Sequence, residues 1–196
     1  MPSTVETLHG RPIAPYHGPD MDTLSVPDVP TSMLGRPVRQ IALVVPDLEA
    51  AMRGYVEALG IGPWNVYTIG APAMTGMTYR GEPVDFRIRH ALAFSGEVML
   101  ELIQPLEGRS IWREYLDDRG ASLHHVAFYV DDFEAAREAM DERGWTAVQA
   151  GAGFGRSRDG VFTYYEHPTA VGIIVEIVKP PTERFPPELT YPSPTA

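Results

Sequence analysis

The sequence contains no cysteine, and that absence removes disulfides, thiolate nucleophiles and Cys-ligated zinc together. It agrees with a cytoplasmic location, which is the compartment expected. No apolar run approaches the roughly 20 residues that cross a bilayer, so no membrane partner is expected. The opening residues, Met1 to Gly10, lack a basic stretch followed by an apolar one and do not read as a secretory signal. Lys/Arg clusters are absent too. With a formal net charge of -10 the chain has no basic face to offer a nucleic acid. A small molecule is the expected partner.

What is present is ordinary for a globular protein. The 196 residues are 44% hydrophobic, enough for one domain or two fused modules with a real core. The two ends differ from the middle. Residues 1–36 are rich in Pro, Thr, Ser and Asp without a sustained period and read as an extended N-terminal arm. Residues 181–196 form a Pro-rich tail, where proline excludes helix and central strand. The folded domain is expected over 37–180.

Within it lies a repeat. Gln40 to Ala51, QIALVVPDLEAA, matches His125 to Ala136, HVAFYVDDFEAA, without a gap. Further on, Met99 to Pro105, MLELIQP, matches Ile174 to Pro180, IVEIVKP. Two matches in the same order indicate a duplicated module, one copy over 37–107 and the other over 121–180. Residues 108–120 join them, with a short helix expected from Ser110 to Asp118.

Each module reads as βαβββ. Residues 38–45 alternate as a strand. Asp47 suits a helix N-cap, and Leu48, Ala51, Met52, Tyr55 and Leu59 recur at helical spacing before Gly60 and Gly62 end the helix. Strands follow at 64–69, 86–94 and 97–104, with a tight turn at Ser95-Gly96. The second copy predicts a strand at 123–130, a helix at 132–143, and strands at 146–150, 161–166 and 172–179. The fold class is therefore α+β, two such modules forming a concave, partly closed mixed sheet. Eight strands leave open edges, and proteins pair or cover edges, so a homodimer is expected.

Alternation also sorts faces. The bulky apolar face of each first strand packs on the helix that follows. Gln40 and His125 then point to the concave side. Glu101 and Glu176 sit in the middle of apolar fourth strands, where an unpaired carboxylate is costly. One divalent cation would satisfy both. The mixed set Gln40, Glu101, His125 and Glu176 suits Zn, Mn, Co, Ni or Fe. Glu176, with Glu101 second, is the candidate proton shuttle.

On these residues the chain resembles the vicinal oxygen chelate superfamily, which includes glyoxalase I, methylmalonyl-CoA epimerase, extradiol dioxygenases and bleomycin-resistance proteins. The resemblance covers about 37–180. It implies metal ligands on the first and fourth strands of each module, hence Gln40, Glu101, His125 and Glu176. Many epimerases carry His at the position of Gln40, whereas one class of glyoxalase I is similar to this chain there. Glutathione-binding residues are not recognisable. The expectation is a metal-dependent lyase or isomerase/epimerase acting on a carbonyl or acyl-thioester compound through an enolate. The alternatives are an iron-dependent dioxygenase and a non-catalytic small-molecule-binding protein.

Other residues have two readings. Trp64, Tyr67, Met74, Met77 and Tyr79 cluster between the second and third strands, where they line a substrate pocket or pack a loop. One of Tyr164 and Tyr165 must face the cavity. His124 is expected on the helix side, and His90 and His167 at solvated strand ends. Gly151, Gly153 and Gly155 precede a strand rather than a helix, which excludes a dinucleotide-binding loop.

Overall fold

The computed structural model describes residues 35–169 and 172–193; the expected N-terminal arm lies outside them but for residues 35 and 36. Module one opens with β1 (Val38–Val44) and α1 (Leu48–Leu59). The Asp47 side chain accepts a hydrogen bond from the Ala50 backbone and so starts α1. Then come β2 (Trp64–Gly70), a hairpin of β3 (Thr75–Tyr79) and β4 (Glu82–Pro83), β5 (Arg87–Ser95) and β6 (Val98–Glu107). The linking helix α2 (Ile111–Arg119) is capped by Ser110. Module two holds β7 (Ser122–Tyr129), α3 (Phe133–Glu142), β8 (Thr146–Phe154), β9 (Gly160–Glu166) and β10 (Ile174–Lys179). Asp132 caps α3 as Asp47 caps α1. A last strand, β11 (Leu189–Tyr191), follows in the Pro-rich segment.

Among the described residues the strands form one sheet rather than two. Its order is β11-β2-β5-β6-β1-β7-β10-β9-β8-β3-β4. The first strands of the two modules, β1 and β7, pair antiparallel at its centre, and each pairs in parallel with its own fourth strand, β6 or β10. The outer edges are exchanged. The β3–β4 hairpin of module one joins β8 of module two, and β11 from beyond module two joins β2 of module one. Pairing each outer strand with a segment from the other half covers edges that would otherwise template aggregation. The sequence reading missed β3, β4 and β11. They are short, and Pro83 and the Pro-rich stretch around β11 suit edge strands only.

Helices α1 and α3 take one face, and the site and α2 take the other. Leu48 and Met52 of α1 pack on Val45, Trp64, Val66, Ala91, Ala93 and Leu102. Phe133, Ala136 and Met140 of α3 pack on Val130, Tyr165, Val175 and Ile177. Each fully buried Leu or Met stabilises by roughly 2 kcal/mol, which fixes both strand registers. The concave side holds a third cluster that includes Ala42, Val44, Ile88, Ile103, Tyr164 and Ile174. Ile111, Trp112 and Tyr115 of α2 close it. No helix among the described residues is long and apolar enough to cross a membrane.

Candidate active site

The four residues singled out by the repeat come together on the concave side. Gln40 on β1, Glu101 on β6, His125 on β7 and Glu176 on β10 are all buried, His125 completely. Register explains the meeting. Gln40 lies beside Met99 of β6 and Ala127 of β7, while Glu176 lies beside Ala127 and Tyr164. Glu101 accepts a hydrogen bond from the Gln40 amide through Oε2. His125 Nε2 lies 3.2 Å from Glu176 Oε2 and 3.5 Å from Glu101 Oε2.

Two backbone irregularities set these positions. The β1–β7 ladder slips at Arg39 and again at His124, so each strand carries one extra residue immediately before its inward-facing Gln40 or His125. Such bulges re-aim side chains. The second one corrects the expectation for His124. Instead of facing α3, the His124 ring stands 4.8 Å from Tyr115 of α2 and 5.6 Å from Tyr164. Its Nδ1 lies 2.8 Å from His125 Nδ1. Burial, with the charge of His125, pushes the His124 imidazole well below its usual range. A neutral His124 bonded to Nδ1 leaves Nε2 of His125 as the nitrogen aimed at the carboxylates.

His90 is the residue that sequence reasoning misplaced. It is not at a solvated strand end but buried within β5, with Nδ1 2.5 Å from Glu101 Oε1. Period two contained the signal, since Ile88, His90 and Leu92 share one face and all three line the cavity. His167 does follow its strand but is half-buried, bonding the Arg143 carbonyl at 3.1 Å.

The two carboxyls are shifted in opposite directions. Burial pushes Glu101 up, but the His90 hydrogen bond and the charges of His90, His125 and Arg184 outweigh it and hold Glu101 below the usual range. Burial pushes Glu176 up, the charge of Glu101 adds to that, and His125 only partly opposes it. Pairs of groups pushed apart in this way mark acid and base assignments.

The site opens into a cavity of about 350 Å³ whose lining includes Gln40, His90, Glu101, Tyr129 and Glu176. Of the residues expected to bind substrate, Tyr67 and Tyr164 line it. The others are placed elsewhere. Trp64 is in the core under α1 with its ring against Tyr55. Tyr165 packs under α3, as alternation requires once Tyr164 faces inward. Met77 and Met74 belong to the buried cluster below the site. The Tyr79 hydroxyl donates to Glu114 at 2.5 Å. One wall comes from a segment read only as a tail: Pro180, Pro181 and Arg184 to Pro186 all line the cavity.

The donor chemistry is of a kind that a divalent cation takes. His125 Nε2 is buried and makes no hydrogen bond of good geometry, although two carboxylate oxygens lie within 3.5 Å. An imidazole nitrogen facing two carboxylates is a chemistry that first-row divalent ions take. Among the described residues no group of three or more His, Asp and Glu side chains is placed to hold a metal ion. The Gln40 amide and His90 bond the Glu101 carboxylate instead, while the Gln40 carbonyl oxygen accepts from Tyr129 at 3.2 Å.

Comparison with known proteins follows this geometry. The family model described as the Glyoxalase/Bleomycin resistance protein/Dioxygenase superfamily matches residues 39–165. The chain belongs to this superfamily. Within it, the chain is 31% identical over 120 residues to an ethylmalonyl-CoA/methylmalonyl-CoA epimerase of Cereibacter sphaeroides, covering 61% of this chain and 78% of the relative. A methylmalonyl-CoA epimerase from Mycobacterium tuberculosis superposes with a TM-score of 0.57 at 23% identity, covering 78% and 92% of the two chains. A mutant of 4-hydroxymandelate synthase from Streptomyces coelicolor gives 0.56 at 24%, covering 82% of this chain and 43% of the other. At those identities the two structures share the superfamily fold, and the chemistry must be argued from the site.

Proposed function

We propose that the protein is a metal-dependent epimerase or closely related isomerase or lyase that moves a proton at the carbon next to a carbonyl, in an acyl thioester or similar small molecule. The observation that carries this is the pair of buried carboxyls, one from each module, that converge on His125 Nε2 at 3.5 and 3.2 Å and are shifted in opposite directions. His125, Glu101 and Glu176, with Gln40, would hold the ion. A bound divalent ion supplies Lewis acidity to the substrate oxygens.

The chain's own groups supply the rest. Glu101, kept ionised by His90, accepts the proton from one face of the carbon. Glu176, whose carboxyl is held up by burial, carries a proton for the other face. Delivery from the opposite carboxyl inverts the centre, and return from the same one gives isomerisation or exchange. The 31% relative, named as an acyl-CoA epimerase, supports the first outcome. A dioxygenase of the two-His-one-carboxylate kind needs two imidazole nitrogens free. His90 does add a second histidine, but its Nδ1 is engaged by Glu101.

Two measurements test the proposal. After reconstitution with Zn, Mn, Co, Ni or Fe, one metal per chain is expected, and a value near zero for every ion overturns the metal assignment. In deuterated water, NMR should show deuterium entering the α-position of acyl thioesters or 2-oxo thiohemiacetals, with chelator stopping it. Oxygen uptake without exchange would replace the proposal with the dioxygenase reading.

A further inference from the structure

The segment after β10 does not trail away. The Glu183 carbonyl accepts from the backbone of Arg156 at 2.8 Å, which ties the segment to the β8–β9 loop of module two. The Glu188 backbone donates to Val66 at 2.9 Å and the Glu188 carboxylate takes the Thr68 backbone N–H at 2.8 Å, which ties it to β2 of module one. The residues between these anchors, Arg184 to Pro186, form part of the cavity wall.

Arg184 is the one arginine or lysine among the described residues that line the cavity. No carboxylate among the described residues closes an ion pair with it. Its charge acts on the Tyr129 hydroxyl, and that hydroxyl donates to the Gln40 side-chain oxygen at 3.2 Å. The other charged groups of the lining are Glu101, Glu176 and Glu188. Glu188 is bonded to Thr68, and the other two form the proton-transfer pair. A negative substrate entering here meets these carboxyls, and Arg184 is the lining guanidinium whose planar fork matches its oxyanion.

We infer that Arg184 is a specificity-determining residue that holds an oxyanion of the substrate, a carboxylate or a phosphate, on the cavity wall. This rests on the proton-transfer reading above, and it narrows the substrate class from any carbonyl compound to an anionic one. The strap carrying Arg184 fixes the anion in the same cavity whose lining carries Glu101 and Glu176.

The test is calorimetry on the full-length protein as purified, at low ionic strength, with metal content matched between variants. The probes are malonate, neutral malonamide and inorganic phosphate. Malonate or phosphate should bind the wild type more tightly than malonamide, and the tighter of the two identifies the oxyanion. Arg184→Met should weaken that anion at least about tenfold, the usual share of a charge-assisted pair, with malonamide unchanged. Arg184→Lys should lie between. Equal anion affinity in wild type and Arg184→Met overturns the inference, as does the absence of anion binding to the wild type. Deuterium exchange separates the two proposals. Loss of malonate binding in Arg184→Met, with no exchange by wild type on any thioester, sinks the reaction and keeps the anion site. Exchange that Arg184→Met performs with unchanged KM on anionic thioesters sinks the anion site and keeps the reaction.

Discussion

Glu176→Gln is expected to lower proton exchange by on the order of 100-fold or more, the share of a positioned proton-transfer group. The side chain keeps its size and one oxygen 3.2 Å from His125 Nε2, so metal affinity falls but binding survives at saturating metal. Stability of the metal-free protein should not fall. Glu176 is fully enclosed on β10 between Ala127 and Tyr164, and burial there already disfavours its charged form. Removing a charge that burial penalises costs little. Gln40→Ala is expected to behave differently. It weakens metal binding and releases Glu101 Oε2, but leaves both carboxyls for chemistry at saturating metal. Metal content, melting temperature and isotope exchange on the two variants separate the roles. A Glu176→Gln protein with wild-type exchange, whatever its melting temperature, would remove Glu176 from the mechanism.

Much of this was legible from the repeat. Matching QIALVVPDLEAA with HVAFYVDDFEAA paired the first strands and their capped helices, and a carboxylate inside VEIVK had no hydrophobic reason to exist. Period two required one of Tyr164 and Tyr165 to face inward, and the structure turns Tyr164 in and packs Tyr165 under α3. What failed was whatever broke the period or joined distant segments. An extra residue at His124 turned that side chain inward, and a one-residue bulge leaves no mark on composition. His90 was missed because its partner, Glu101, lies on the neighbouring strand, a relation that only register reveals. Trp64 and Tyr67 looked equivalent in sequence, yet one is under α1 and the other lines the cavity, as alternation along β2 requires. Arg184 had no signal at all. It sits in a Pro-rich stretch, and proline density describes what the backbone avoids, not where loop anchors carry it.

Gly108→Ala is expected to destabilise the protein by about 3 kcal/mol or more, against about 1 kcal/mol for Gly76→Ala. Both glycines have positive φ, 79° and 58°, so both substitutions carry the same left-handed cost for an L-residue. Their surroundings differ. A Cβ at Gly76 meets nothing within 4 Å, whereas one at Gly108 would stand 2.0 Å from the Asp85 carbonyl oxygen. Gly70 presses on the same stretch from the other side, where a Cβ would lie 2.1 Å from the Phe86 carbonyl oxygen. The chain entering β5 is therefore clamped between the ends of β2 and β6, and no rotamer change relieves a clash with backbone. His90 is three residues further along that strand than Arg87, so moving the entry displaces the group that holds Glu101 ionised. At roughly 2–4 °C per kcal/mol for a chain of this size, Gly108→Ala should melt about 6–12 °C lower, with reduced exchange per folded molecule. Gly76→Ala should melt only a few degrees lower, with exchange intact. Equal melting temperatures for the two variants would show that the β5 entry tolerates displacement and that the clamp does not position His90.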